Sequence, residues 1–303
     1  MNNNLEVKGF FKFEVFRQDE NGSEIAGSRR ILADWFPNLI LNAGLERMGS
    51  STTFLTHCRV GTGSTPPSPL DSGLVSQLAS TATVTANVYG AQSTSPYFGW
   101  RRKTFRFGQG AAAGNISEVG VGWDAGTLLY SRALILDSYG APTTISVGID
   151  ETLDVTYELR TQPDIVDSTG VVMLAGVPYE WKARPAYVTN QDQWSVSTSG
   201  STVQPVSSRA YTGVIGPVTG GPSGTNAALA VSRAPYSANS LKSVITISAS
   251  LAQGNLPGGI KSIQVIGGTN SLGSYQIEFT PAIPKDDTKV LTLTYKVSWA
   301  RQP

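Results

Sequence analysis

The sequence predicts an all-β protein of two β-sandwich-like domains, with one or two short helices confined to the first. Three observations predict it. Apolar and polar residues alternate with period two along most segments, the pattern of strands buried on one face. Clusters of Gly, Pro, Asn and Ser break these segments at the close spacing of a sandwich or barrel rather than of βαβ units. Charged residues make up only 15% of the chain, against about 25% in ordinary soluble domains. The β-branched and turn-forming residues that replace them favour strands.

The first domain is expected over residues 1–163. Leu5 to Arg17 alternates and reads as a strand; Asn21-Gly22 then supplies the positive φ that a hairpin turn requires, and Glu24 to Trp35 returns. The period changes at Pro37. Leu41, Leu45 and Met48 share a helical face and Gly49 suits a C-terminal stop, so a short helix is expected over 38–48. A second short helix is expected over Ser72 to Leu78. Strands follow at Phe54 to Val60, Ser80 to Val88, Tyr97 to Phe107, Ile116 to Trp123, Thr127 to Leu136, Thr143 to Val147 and Glu151 to Arg160.

The polar run Thr161 to Thr169, with Pro163 and three aspartates, marks the boundary, and the second domain is expected over 164–303. Its strands are read at Val171 to Tyr187, Gln193 to Ser197, Arg209 to Ile215, Ala227 to Arg233, Ser243 to Leu251, Ile260 to Ile266, Ser274 to Phe279 and Lys289 to Trp299. Three blocks recur in order: Ser117–Trp123 with Ser262–Gly268, Leu129–Leu134 with Gly273–Glu278, and Glu151–Leu159 with Lys289–Val297. Each last block carries a Thr-Tyr pair, Thr156-Tyr157 and Thr294-Tyr295. The second domain thus reads as a diverged duplicate of the first.

Composition narrows the function classes. A net charge of +1 creates no field to attract nucleic acid or an anionic membrane. Met1-Asn2-Asn3-Asn4 opens no signal peptide, and no segment reaches the roughly 20 apolar residues of a spanning helix, so folding in a cytoplasm is expected. A single cysteine, Cys58, excludes an intrachain disulfide.

No residue pattern carries catalysis. The one histidine, His57, adjoins Cys58, but neighbours on a strand point to opposite faces and cannot converge. Two N/S donors fall short of a zinc site. The adjacent carboxylates Asp150-Glu151 and Asp286-Asp287 lie in turns, where they cap or solvate rather than form a glycosidase pair. The expectation is a non-enzymatic chain with no cofactor. In Trp100-Arg101-Arg102-Lys103 strand alternation splits the cations between two faces, which favours a solvated or inter-subunit strand over a phosphate track. Arg132, inside an apolar strand, is expected to point outward, and Trp123 to plug the sheet core. Tyr179, Trp181, Tyr187 and Trp194 crowd the start of the second domain, where rings could stack on sugars or fill the core. The contact candidates are Trp100, Arg101, Arg132, Trp181, Tyr187 and Trp194.

Four segments carry a resemblance. They are Asn38–Leu45; Cys58–Ser64 leading into a Pro-rich loop and Leu70–Leu74; Ile116–Trp123 followed by Leu129–Ile135; and Asp150–Tyr157. Their order (helix, glycine loop, tryptophan-bearing sheet, closing strand) resembles structural proteins of tailed-bacteriophage tails, collars, baseplates and fibres, over about residues 35–160. The resemblance implies a virion protein that assembles repetitively, with itself as a trimer or six-fold ring and with neighbouring tail proteins. It offers no active-site residues. A fibre module that binds a host surface glycan is the alternative, and a polysaccharide depolymerase a further one.

Overall fold

The computed structural model describes residues 1–51, 53–124, 126–196, 205–267 and 272–302. It is all-β. The first half runs β1 (Asn2–Arg17), β2 (Arg30–Pro37), β3 (Leu39–Ile40), α1 (Asn42–Ser50), β4 (His57–Gly61), β5 (Gln77–Thr81), β6 (Val84–Ala91), β7 (Gly99–Phe107), β8 (Gly114–Ile116), β9 (Glu118–Gly122), β10 (Leu129–Leu134), β11 (Ile145–Val147) and β12 (Glu151–Pro163). The second runs β13 (Ser168–Leu174), β14 (Val177–Ala186), α2 (Gln191–Trp194), β15 (Pro205–Tyr211), β16 (Asn226–Arg233), β17 (Lys242–Ala249), β18 (Ile260–Gly267), β19 (Ser274–Ile283) and β20 (Leu291–Arg301).

Strand β1 organises the first half. Leu5, Val7, Phe11, Phe13 and Val15 point inward and are buried, while Lys8, Phe10, Lys12 and Glu14 alternate outward. Burying each of the larger side chains contributes about 1.5–3 kcal/mol. Along one edge β1 pairs antiparallel with β12, from Leu5 opposite Pro163 to Arg17 opposite Glu151. Along the other it pairs with β2 over Phe10–Val15 and, in parallel, with β20 over Asn2–Val7. The chain's first and last strands therefore join the two halves in one 13-stranded sheet, ordered β13-β14-β19-β18-β15-β16-β17-β20-β1-β12-β7-β6 with β2 on β1. A five-stranded sheet β3-β10-β9-β4-β5 covers the first half's core.

The order of pairing recurs. In the first half β4 pairs β5 and β9, β9 pairs β10, β10 pairs β3, and β6-β7-β12 run on. In the second, β15 pairs β16 and β18, β18 pairs β19, β19 pairs β14, and β16-β17-β20 run on. α1 follows β3 as α2 follows β14. Tyr130 and Tyr157 meet edge-on at 6.5 Å in one core, and Tyr275 and Tyr295 meet at 5.5 Å in the other. One pairing differs. β12 pairs β1, the first strand of its own half, whereas β20 also pairs β1 and leaves β13 with β14 as its one described partner.

Several expectations change. The helix expected at 38–48 is α1, which begins at Asn42 because Leu39 and Ile40 first pair with Arg132 and Ser131 of β10. No helix forms over Ser72 to Leu78. Backbone N–H groups at Val75 and Ser76 bond instead to the Glu118 carboxylate, and Gln77 starts β5. Gln193–Trp194 is not strand but the end of α2, whose Asn190 side chain accepts the Asp192 N–H as an N-cap; Ser197 lies outside the described residues. Val171 to Tyr187 is a hairpin rather than one strand, turning at Ala175-Gly176, both at positive φ. Trp123 stands half-buried beyond the end of β9 rather than in the sheet core, with the Arg47 guanidinium 5.2 Å from its ring centroid.

Candidate functional site

Two features of the first half are built from the residues singled out by the sequence. The first surrounds Arg132. It does not point to solvent: it is 1% exposed, on a strand buried on both faces, because the Gly61–Ser76 loop folds over it. Its guanidinium donates to Glu118 Oε2 at 3.0 Å, to Asp71 Oδ2 at 2.6 Å and to the Thr65 carbonyl at 2.8 Å. Glu118, fully buried, also accepts the backbone N–H groups of Gly63 at 3.0 Å, Val75 at 3.1 Å and Ser76 at 2.8 Å. A Cβ on Gly63 would stand 2.4 Å from Glu118 Oε1, which is why the loop approaches as glycine. One carboxylate and one guanidinium thus bind three backbone N–H groups, one carbonyl and the Asp71 side chain of a long loop and hold it as a fixed shape. From it Leu70 projects at 83% exposure. Tyr139, at 94%, projects from another ordered turn, where Asp137 accepts the N–H groups of Tyr139 and Ala141.

The second feature is the outer face of β2-β1-β12-β7. Alternation along β7 sends Trp100 and Arg102 outward and Arg101 and Lys103 inward. Arg102 lies between two tryptophan rings, 5.2 Å from Trp35 and 4.6 Å from Trp100, and pairs with Glu158. Arg160 donates to the same carboxylate at 2.5 Å and covers Phe10 and Phe98 at 4.3 and 4.6 Å. Arg29 and Arg106 share Phe16 at 4.5 and 4.7 Å and both bond Asp154. Each arginine stands over a ring and bonds a carboxylate, so the layer shields a sheet face; four guanidiniums share the two carboxylates Asp154 and Glu158, and the layer keeps a net positive charge.

Inside, Arg101 donates to the Val196 carbonyl at 2.7 Å and lies 4.8 Å from the Tyr89 ring. Lys103 donates to the Leu55 carbonyl at 2.7 Å. Burial, with Arg101 adding repulsion, pulls the Lys103 ammonium down to about 8. A base whose folded value lies below its unfolded one binds fewer protons when folded, so its penalty is full below pH 8 and is relieved as pH rises toward 10.5. Compared with Lys103→Met, the wild-type chain is expected to gain stability over that window, by at most about 1.4 kcal/mol per pH unit. Urea denaturation of both proteins between pH 7 and 10 reads this, and parallel curves would disprove it.

The aromatic candidates of the second half do not form one patch. Trp194 is 1% exposed. Its ring meets Tyr275 edge-on at 5.5 Å, its Nε1–H donates to the Ala186 carbonyl at 2.9 Å, and its own carbonyl accepts the Thr161 hydroxyl from the first half. Tyr179 is also buried. Tyr187, at φ 50°, lays its ring against Gly221. Trp181 is half-buried and covers Gly170 of β13.

His57 and Cys58 face opposite sides of β4. His57 Nδ1 bonds the Thr56 hydroxyl at 2.8 Å, burial lowers its imidazole, and burial pushes the Cys58 thiol up. Asp150 pairs with Arg17, Glu151 with Arg30 and Asp286 with Lys289. Among the described residues no group of three His, Cys, Asp or Glu side chains is placed to hold a metal ion, and no helix is long and apolar enough to cross a membrane. Sequence reasoning missed the Glu118 clasp and the arginine layer. Comparison with known protein families, curated proteins and solved structures finds no match. The resemblance to phage tail proteins rests on its four segments alone.

Proposed function

We propose that this chain is a structural component of a tailed-bacteriophage virion, assembled into the tail, baseplate, collar or fibre apparatus by contacts between sheets and loops. The observation that carries the reading is the buried Glu118–Arg132 pair. The pair holds the loop as a fixed shape on which Leu70 stands bare, a rigid apolar knob that a neighbouring polypeptide could receive. Tyr139 on its braced turn repeats the arrangement. The four resembling segments supply the virion context, and the clasp joins two of them, since Gly63 lies in the second and Glu118 in the third. Assembly takes place in the host cytoplasm, and copies of the same chain are among the partners.

Electron microscopy of virions labelled with an antibody to this chain is the test. Label at the tail or collar is expected, and virions without label overturn the proposal. Light scattering of the purified chain is expected to show self-association.

A further inference from the structure

The large sheet ends in β6 and β13, and β13 is built unlike a solvent-facing edge. β13 reads Ser168-Thr-Gly-Val-Val-Met-Leu174, with no charge and no proline. Edge strands exposed to water are normally blunted by such residues. β2, bonded to β1 alone, is blunted in this way by Arg30, Asp34 and Pro37; β6, at the sheet's other end, is also free of charge and proline, but it is exposed on both faces over Val84–Tyr89, so no core layer reaches its edge. On one face of β13, Val171 and Met173 are each 60% exposed. On the other, Val172, Leu174 and the neighbouring Trp181 pack against the core but remain half-exposed, so the core layer continues to the edge and stops uncovered. In the first half the corresponding strand, β1, has its edge closed by β12.

We infer that β13 is completed by β13 of a second copy, paired antiparallel across a two-fold axis through Val171. This rests on the assembly reading above and names one of its surfaces. The edge suits its own copy for a specific reason. Antiparallel pairing about Val171 sets Val172 opposite Gly170 of the other copy and Met173 opposite Thr169, with no charge facing its like. Gly170 is the residue over which Trp181 lies, its ring 2.7 Å from where a Cβ would stand. Val172 of one copy therefore fills the space beside the other's Trp181. Seven residues of ladder and two apolar strips are gained at once. Three such dimers would make a six-membered assembly.

Two variants of the full chain test it. Val171→Lys changes an exposed side chain and is expected to abolish the dimer in sedimentation, to remove the concentration dependence of the thermal melt, and to leave the melt of the dilute chain unchanged. Val171→Cys is expected to form a disulfide-linked dimer on mild oxidation, without background from the fully buried Cys58. If the chain self-associates but Val171→Lys does not reduce this and Val171→Cys does not cross-link, the β13 contact is wrong and the assembly reading survives. If the wild-type chain is monomeric at every concentration, the contact is again wrong, and self-association falls with it.

Discussion

Glu118→Ala is expected to lower the stability of the folded chain by about 3–5 kcal/mol, the usual cost of breaking a buried ion pair from one side. Two debts arise together. The Arg132 guanidinium, 1% exposed, keeps Asp71 but loses the carboxylate that is itself wholly out of water. The N–H groups of Gly63, Val75 and Ser76 lose their acceptor; that of Gly63 is left buried, at about 1–3 kcal/mol, while the exposed Val75 and Ser76 can turn to water. Glu118→Gln keeps the volume but turns a donor toward donors, so it should recover only part of the loss. Removing both charges, as Glu118→Leu with Arg132→Met, should be milder than Glu118→Ala alone, because the buried guanidinium leaves with its partner and the only charge left unpaired is Asp71, which reaches water. Urea denaturation of the three variants measures this. A loss under about 1 kcal/mol for Glu118→Ala would show that the loop does not depend on the clasp. Limited proteolysis within 64–74 should accelerate in parallel, since the loop's backbone is held from inside.

Trp194→Ala should have an effect of similar size, about 3–5 kcal/mol. Trp194 fills the space between Tyr275 and Gly273 and anchors α2 through its Nε1–H to Ala186. Its carbonyl meets Thr161, the last residue but two of β12, so the side chain fixes a contact between the halves. Trp194→Phe keeps the ring edge toward Tyr275 and should cost clearly less, while losing the bond to Ala186. Differential scanning calorimetry separates two outcomes. A lowered single transition means that the halves unfold together, as the β1–β20 pairing requires. A stable, fully folded Trp194→Ala protein would mean that the residue is not a core member.

Much of the fold was legible because strand alternation is a local property. The inward set of β1 and the opposed faces of β7 both follow from period two, and the recurrence of the Thr-Tyr blocks was visible as spacing. The site was less legible. Arg132 read as outward because alternation assumes that one face of a strand meets water, and β10 has none that does. The arginines Arg29, Arg102, Arg106 and Arg160 were legible as charges, but not as a layer, since Trp35, Phe16 and Phe10 and the carboxylates of Asp154 and Glu158 reach Arg102, Arg106, Arg160 and Arg29 from strands far apart in the chain. The tryptophan of a four-residue helix could have been surface or core, and nothing near it in the chain told which.

What the sequence determined by itself was the class: alternating strands, few charges, one cysteine, one histidine and a change of period at the first helix. These depend on each residue and its near neighbours. What only the tertiary structure decided was closure: that β20 joins β1 rather than β13, that the Gly61–Ser76 loop covers Arg132, and that β13 ends the sheet with its outer edge unpaired among the described strands. Such choices turn on which of several similar edges is nearest after folding, and main-chain hydrogen bonds, the same at every edge, carry no mark of that choice in the residues themselves.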